Sequence, residues 1–247
     1  MKNFLYIILF FTQVSLAQDG FEKGNQLYRT ENYEEAAKAY ESVLKTKKHS
    51  IELYFNLGNA YYKLNRIAPA IYNYEKALLL NPNDADVKNN LIFAQKMMID
   101  EIKEVPEVGF RKIIGNFTSA FEFNTWGWIC VGLVFAFLAF FIGYYFSVFG
   151  IYKRIFFMGM FVILFLILLS ALAAIFEKAR QKSERPAIVF ASLASVKSEP
   201  KISSADVFVL HEGSKVYVQE SLEQWKKIKL QDGTDGWIES NSIKELK

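Results

Sequence analysis

The chain has 247 residues and a mass of 28.5 kDa, and its 52% hydrophobic and 22% charged residues favour soluble parts joined to membrane segments over one ordinary globular domain. A formal net charge of +3 is too small for the basic surface of a nucleic-acid-binding protein, which excludes that class. The single cysteine, Cys130, excludes an internal disulfide and a cysteine-rich zinc site, and two histidines leave little material for a histidine-based centre. We therefore predict no metal and no cofactor.

Residues 1–17 have the pattern of a secretory signal peptide. Lys2 supplies the positive start, residues 4–11 are apolar but too few to span a membrane, and Ser15 and Ala17 are the small residues before a cleavage site. We predict cleavage after Ala17, with an uncleaved anchor as the alternative. The mature chain would then begin outside the cytoplasm.

Residues 18–104 contain an internal repeat with a period of 34 residues. The pairs that coincide at this shift are Gly24 and Gly58, Asn25 and Asn59, Tyr28 and Tyr62, Ala36 and Ala70, and Tyr40 and Tyr74. The period and residue types resemble those of tetratricopeptide repeats, which implies an all-α domain of paired helices. Such a pair cannot bury its apolar face alone, so we predict a closing helix over Ala85–Lys103.

Residues 105–125 form a juxtamembrane segment in which apolar side chains alternate with Arg111 and Lys112. This pattern is typical of an amphipathic helix at a membrane surface. Packing of the same apolar side chains against the repeats explains it equally well.

Two uncharged runs, residues 126–149 and 155–176, are predicted to be transmembrane helices. At about 1.5 Å per residue they reach roughly 36 and 33 Å, enough to cross a hydrocarbon core of about 30 Å. The short link between them forces a hairpin, so the segments before and after it lie on the same side of the membrane. With a working signal peptide, both segments lie in the periplasm of a two-pass inner-membrane protein.

Positive charge opposes this topology. The flank after the second run carries more basic residues than the link, and the positive-inside rule alone would place that flank in the cytoplasm. These basic residues are Lys178, Arg180, Lys182 and Arg185. The signal peptide acts first during synthesis, and we therefore retain the periplasmic prediction.

Residues 186–247 change from helical to alternating periodicity. Short β segments are predicted at 207–210, 215–218, 225–230 and 236–238, with hairpin turns at 211–214 and 231–235. The order and spacing of Leu210–Gly213, Trp225–Ile228 and Gly236–Ile238 resemble the bacterial SH3 family, which implies a small all-β barrel. We expect this barrel and residues 18–104 to fold independently, connected only through the membrane hairpin.

Signal peptide, tetratricopeptide repeats, a two-helix membrane hairpin and an SH3-like module, in this order, resemble the BatE proteins of the Bacteroides aerotolerance type of operon. The resemblance covers the whole chain, and its most specific parts are residues 54–82 and 225–238. It implies an inner-membrane protein that acts beside membrane-anchored von Willebrand factor A-domain proteins in an aerotolerance complex. No established enzymatic activity comes with this resemblance.

A partner-binding groove is predicted on the first helices of the two repeats. Asparagine can hydrogen-bond a peptide backbone, aromatic rings offer apolar area, and basic side chains can bind a carboxylate. The predicted groove residues, at helix positions that we expect to be exposed, are Phe21, Asn25, Tyr28, Arg29, Glu52, Phe55, Asn59, Tyr62 and Lys63. The alternative is that some of these aromatic side chains only join adjacent repeats; Asp86, Phe93 and Lys96 would continue the groove on the closing helix.

Recognition of peptidoglycan is the second functional hypothesis. Trp225 and Trp237 would each face away from the nearby Ile228 or Ile238 on an alternating strand, which is consistent with an aromatic surface; a core role for them is an equally good alternative. An enzyme is the weakest hypothesis, because no stretch remains for a catalytic domain once the repeats, membrane helices and barrel are assigned. We therefore predict a protein without enzymatic activity.

Overall fold

The structure is a computed structural model that describes residues 20–102 and 109–247. The predicted signal peptide lies outside the described residues, as do residues 105–108 of the juxtamembrane segment. The chain forms two compact units. One, here called the repeat–sheet unit, combines the chain up to Val105 with Arg185–Lys247; the other, the hairpin unit, is Pro106–Glu184.

The N-terminal part of the repeat–sheet unit is entirely helical. Ser50 caps one helix by accepting a hydrogen bond from the Leu53 backbone nitrogen at 3.1 Å, and Asp84 caps another by accepting from the nitrogens of Asp86 and Val87. The closing helix ends at Gln95 rather than at the predicted Lys103. The helices are α1 (20–29), α2 (Tyr33–Lys45), α3 (Ile51–Lys63), α4 (Ile67–Leu80) and α5 (Ala85–Gln95).

Each repeat is closed by a glycine that faces a buried tyrosine. A Cβ atom at Gly58 would lie 2.7 Å from the ring of Tyr74, and one at Gly24 would lie 2.4 Å from the ring of Tyr40. Both tyrosines are at most 1% exposed. The repeated Gly and Tyr positions in the sequence therefore correspond to repeated close contacts between the two helices of each pair, as their small and large side chains predict.

The C-terminal part of the same unit is a seven-stranded antiparallel sheet with the order β3-β2-β6-β5-β4-β1-β7. Its core consists of alternating apolar side chains such as Val196, Val216, Ile228 and Ile238. The strands are β1 (Pro186–Val189), β2 (Leu193–Lys197), β3 (Asp206–His211), β4 (Lys215–Leu222), β5 (Trp225–Lys229), β6 (Asp235–Glu239) and β7 (Ile243–Glu245).

The predicted hairpin turn at residues 211–214 is wrong. Strand β3 pairs with β2, whereas β4 pairs with β1 and β5, so this segment crosses between strands that are not neighbours. Residues 211–214 instead contact the repeats, and that contact, rather than a tight strand reversal, explains the glycine and serine found there. The other predicted turn, at 231–235, does join the antiparallel neighbours β5 and β6.

The repeats and the sheet share one hydrophobic cluster. Ile188 of β1 and Leu246 near the C-terminus are buried among the side chains of the repeat helices, and the ring of Phe190 lies 5.7 Å from that of Tyr72 on α4. The expectation that the two ends are connected only through the membrane hairpin is therefore wrong. The alternation along short strands predicted a sheet with one apolar face. It did not predict that Ile188 and Leu246 pack against the repeat helices.

The hairpin unit contains α6 (Phe110–Thr118), α7 (Phe123–Phe146) and α8 (Gly150–Ser183). Helices α7 and α8 are long and apolar enough to cross a membrane. The two helices contact each other both near the start of α7, where Cys130 Sγ lies 3.0 Å from Ser170 Oγ, and near its end, where the ring centroids of Phe140 and Phe156 are 5.6 Å apart. The described helices begin before the predicted uncharged runs, and the second continues into the charged segment that follows.

Candidate functional site

An asparagine network runs along the first helices of the repeats. The Asn59 Oδ1 atom accepts one hydrogen bond from the Tyr74 hydroxyl at 2.7 Å and another from Asn90 Nδ2 at 2.7 Å. One repeat earlier, Asn25 Oδ1 accepts from the Tyr40 hydroxyl at 2.8 Å and from Asn56 Nδ2 at 3.0 Å. The same three-residue arrangement thus occurs twice and ties each repeat to the next.

Burial keeps the tyrosine hydroxyls of this network protonated. It raises the pKa of Tyr40 to about 12, and it is also the main cause that raises the pKa of Tyr74, with the nearby Tyr28 adding to it. A protonated hydroxyl donates its hydrogen to the asparagine oxygen. Because Asn59 Oδ1 receives two hydrogen bonds within the repeats, what Asn59 can offer a ligand is its Nδ2 donor group.

A small cavity of about 170 Å³ opens beside this network. Its walls come from α1, α3 and α5, with one ring from α4, and combine aromatic rings, two amides and one amine. It is lined by Tyr28, Asn59, Tyr62, Lys63, Tyr74, Asn90 and Phe93. Four predicted groove residues, Tyr28, Asn59, Tyr62 and Lys63, therefore line one cavity, together with Phe93 of the closing helix.

The other predicted groove residues lie outside this cavity lining. Phe21 and Phe55 are half-buried, and their rings pack 5.9 and 6.1 Å from Tyr40 and Tyr74 respectively, so each packs against the second helix of its own repeat. Arg29 and Glu52 are exposed, on α1 and α3. Asn25 belongs to the network described above.

Two features of the site differ from the sequence prediction. Asn59 is half-buried and bonded to a fully buried tyrosine, so it is not the freely exposed helix position that was expected. Asn56 and Asn90 were not predicted, although they too are 34 residues apart in the sequence, and the repeat period could have identified them.

A second concavity lies at the edge of the sheet. An open cleft of about 580 Å³ is bounded by Trp225, which is 8% exposed, and by polar groups that include Gln224, Ser240 and Asn241. Trp225 pairs across the ladder with Glu239, whereas Lys227 pairs with Trp237. This register puts both tryptophans on the strand face opposite Ile228 and Ile238, but Trp237 is not part of the cleft.

The contact between repeats and sheet uses a different side of the repeats, formed by α4 and the residues after α5. Asp100 accepts hydrogen bonds from the His211 backbone nitrogen and from Ser214 Oγ, both at 2.6 Å, and its other oxygen lies 2.7 Å from His211 Nδ1. Glu75 on α4 binds Lys215 at 2.7 Å. No sequence motif signals these pairs, because their members are more than a hundred residues apart.

Two comparisons with known proteins match the helical part of the chain. The Tetratricopeptide repeat family matches residues 51–84, and a related TPR repeat family matches residues 24–65. Tetratricopeptide repeats are present. Sperm-associated antigen 1 of Mus musculus is 32% identical over 75 residues, which cover 30% of this chain and 8% of that protein.

No group of three or more histidine, cysteine, aspartate or glutamate side chains is placed to hold a metal ion in residues 20–102 and 109–247. The groups that the repeats present toward the cavity are amide donors, aromatic rings and one lysine. These groups suit recognition of a polypeptide, and tetratricopeptide repeats suggest protein–protein interaction in general.

Proposed function

We propose that this protein is a non-enzymatic adaptor of the inner membrane that binds partner proteins through the cavity on its tetratricopeptide repeats. The observation that carries the proposal is the shared cavity of Tyr62, Lys63 and Phe93 beside the Asn59 amide. A polypeptide segment in this place would meet an amide donor for its backbone, rings for an apolar side chain and an amine for a carboxylate.

The resemblance to BatE proteins supplies the class of partner. It implies a membrane-anchored von Willebrand factor A-domain protein of the same operon type, within an aerotolerance complex. The packing of the sheet against α4 supports this use of the repeats, because it occupies another side of the helices and leaves the cavity open.

Co-purification of the full-length protein with such a partner from solubilised membranes tests the proposal. Lys63→Glu combined with Phe93→Ala should abolish capture, because both side chains line the cavity. The fold should be kept, because Lys63 is exposed and Phe93 is 46% exposed, so neither change disturbs the core. Lys38→Glu on α2, an exposed lysine outside the cavity, is the matched control. Equal capture by both variants would rule out the cavity as the docking site.

Asn59→Ala is a poor choice for this test. Removing its side chain leaves the buried Tyr74 hydroxyl without its acceptor, which costs about 1 to 3 kcal/mol of stability. A loss of binding would then be indistinguishable from a loss of folding.

The proposed topology places both soluble ends in the periplasm. Contacts such as that between Asp100 and His211 support a common side, because the two ends of the hairpin must then emerge together. In a Cys130→Ser background, Ser50→Cys and Ser240→Cys should both react with a membrane-impermeant maleimide in intact cells once the outer membrane is made permeable. Reaction of either cysteine only after lysis would refute this topology.

Peptidoglycan recognition by an SH3-like sheet is the second candidate, and the cleft beside Trp225 favours it. An aromatic wall flanked by the amide side chains of Gln224 and Asn241 suits a ligand with both sugar and peptide groups. The full-length protein in detergent should therefore bind purified sacculi. Gln224→Lys with Asn241→Ala should weaken that binding, and Trp237 outside the cleft provides a control through Trp237→Phe.

A further inference from the structure

The hairpin unit has an elbow of short helix and aromatic side chains where its first membrane helix begins. Helix α6 ends at Thr118, and α7 starts at Phe123 after four intervening residues. Trp126 holds this elbow: its Nε1 donates to the Thr118 carbonyl oxygen at 2.9 Å, and it is only 5% exposed. The orientation of α6 relative to α7 is therefore fixed by a buried hydrogen bond.

Two more rings complete the elbow. Phe117 and Phe121 each lie with their ring centroid 5.3 Å from that of Trp126, while Trp126 packs against Ala173 and Ala174 of α8. The inner sides of these rings hold the elbow to the membrane hairpin. Their outer sides remain exposed, 42% for Phe117 and 47% for Phe121.

The exposed apolar surface continues along α6. Ile113, one helical turn before Phe117, is 65% exposed, whereas Lys112, about 100° around the helix axis from Ile113, is an exposed basic side chain at the edge of this apolar surface. At the start of α7, Trp128 is also 75% exposed, about 200° around the helix axis from the buried Trp126 that contacts α6. Exposed apolar side chains are thus found both on the short helix and at the start of the apolar helix that follows it.

The charges at this end of the hairpin fit the headgroup level of a bilayer. Lys178 Nζ lies 5.0 Å from the ring centroid of Phe123, and Arg180 is ion-paired with Glu177. Tryptophan and basic side chains together are enriched where a membrane helix leaves the hydrocarbon region. The start of α7 and the basic end of α8 meet here, so the elbow lies at the membrane surface.

We propose that α6 lies flat on the membrane, with Ile113, Phe117 and Phe121 inserted among the phospholipid headgroups and Lys112 facing water. The occupant of this apolar face is the lipid leaflet around the start of α7, because the hydrogen bond between Trp126 and Thr118 holds α6 beside that start. The elbow would then fix how deeply the hairpin sits in the bilayer. This inference rests on the proposal that α7 and α8 cross the membrane.

Fluorescence quenching in phosphatidylcholine nanodiscs tests this placement. The full-length chain with Cys130→Ser would carry one environment-sensitive fluorophore on Ile113→Cys, on Lys112→Cys as the matched site on the polar side of α6, or on Phe135→Cys. Phe135 is 67% exposed in the middle of α7 and reports on the membrane span itself. A nitroxide on the lipid headgroup, a nitroxide deep in the acyl chain and a water-soluble nitroxide would serve as quenchers.

The expected result is at least a threefold stronger headgroup quenching at residue 113 than at 112, with the water-soluble nitroxide showing the reverse order. Two results would overturn the proposal: equal water accessibility at both sites, or protection of residue 113 from every quencher, which would mean that protein covers it. Strong quenching at residue 135 by the acyl-chain nitroxide would show that α7 lies within the hydrocarbon region. Its absence would contradict the proposed membrane insertion, whereas failure at residue 113 alone would contradict only the elbow.

Discussion

The Asp100 carboxylate binds both the backbone nitrogen and the imidazole of His211. Asp100 follows the repeat helices and His211 ends strand β3, so this contact joins the repeats to the sheet. The hairpin unit lies between these two residues in the chain, so this contact connects the stretch before the hairpin unit to the stretch after it. The repeat–sheet unit is therefore built from two separate stretches of the chain, and the hairpin unit is inserted between them in the sequence.

Asp100→Ala should loosen the contact between repeats and sheet. It leaves the His211 nitrogen and the Ser214 hydroxyl without their carboxylate, and a hydrogen bond to a charged group contributes about 1.5 to 3 kcal/mol. Hydrogen exchange of the full-length protein in nanodiscs should accelerate more than about tenfold around residues 207–216. Glu101→Gln, a change at the exposed neighbour, should leave these rates unchanged.

Acid should weaken the same contact. Partial burial raises the pKa of the Asp100 carboxyl, but hydrogen bonds from His211 and Ser214 outweigh it, and the net pKa is below the ordinary value. The stabilisation is therefore fully present above the unfolded pKa of about 3.9 and is lost as the pH falls through the lower folded pKa. The pKa of Glu245 is also lowered, because Lys226 and Arg185 outweigh its partial burial.

The thermal midpoint in detergent, measured between pH 7 and pH 3, checks this acid dependence. Asp100→Asn should start from a lower midpoint at pH 7 and should lose less on acidification, since it no longer releases a proton on folding. A wild-type midpoint that falls no further than that of the variant would show that Asp100 does not contribute to the pH dependence.

Gly213→Ala should destabilise the protein through crowding. Gly213 has φ +92°, and a Cβ atom there would lie 3.0 Å from Ile71 Cδ1 and 3.1 Å from both Ile67 and Met98. Gly233 is the matched control, because its φ is +93° but nothing lies within 4 Å of its Cβ position. Both substitutions carry the backbone strain of positive φ, and only the first adds an overpacking cost of about 1 to 3 kcal/mol.

Thermal unfolding of the two variants in the same detergent separates these terms. The midpoint should fall further for Gly213→Ala than for Gly233→Ala. Equal midpoints would mean that residues 211–214 can move away from the repeats at no cost, contrary to a packed interface.

How much of this architecture follows from the sequence depends on the range of the interactions. The repeat period identified Gly58 and Tyr74 as repeated positions of the helical pair, because helical packing repeats locally. The uncharged runs identified the two apolar helices, because membrane spans differ sharply in composition from soluble segments. The pairing of β3 with β2 was not predictable from the glycine-containing turn at 211–214, because strand order is decided by contacts between distant segments. Asp100 lies 111 residues before its partner His211, and local patterns carry no information about such pairs.

The candidate site shows the same limit. Tyr28, Tyr62 and Lys63, which the repeat period selected, line one cavity, since equivalent positions of adjacent repeats are neighbours in space. It did not reveal that Asn59 uses its oxygen internally, because that depends on the depth of Tyr74 beneath it. Whether a polar residue on a helix faces a ligand or the core is a property of the packed structure.

The last prediction concerns the packing of the two long apolar helices, α7 and α8. Ser170→Cys places a second thiol beside Cys130, since the Cys130 Sγ and Ser170 Oγ atoms are 3.0 Å apart, so mild oxidation should join α7 to α8 within one chain. Gly159→Leu should strongly reduce this cross-link, because a Cβ atom at Gly159 would lie 2.2 Å from the ring of Phe140 and would force the helices apart. Gly132→Leu, where nothing lies within 4 Å, should leave the yield unchanged. Cross-linking is measured as protection of both thiols from maleimide in nanodiscs, and equal yields in the two leucine variants would show that α7 and α8 do not pack closely at Gly159.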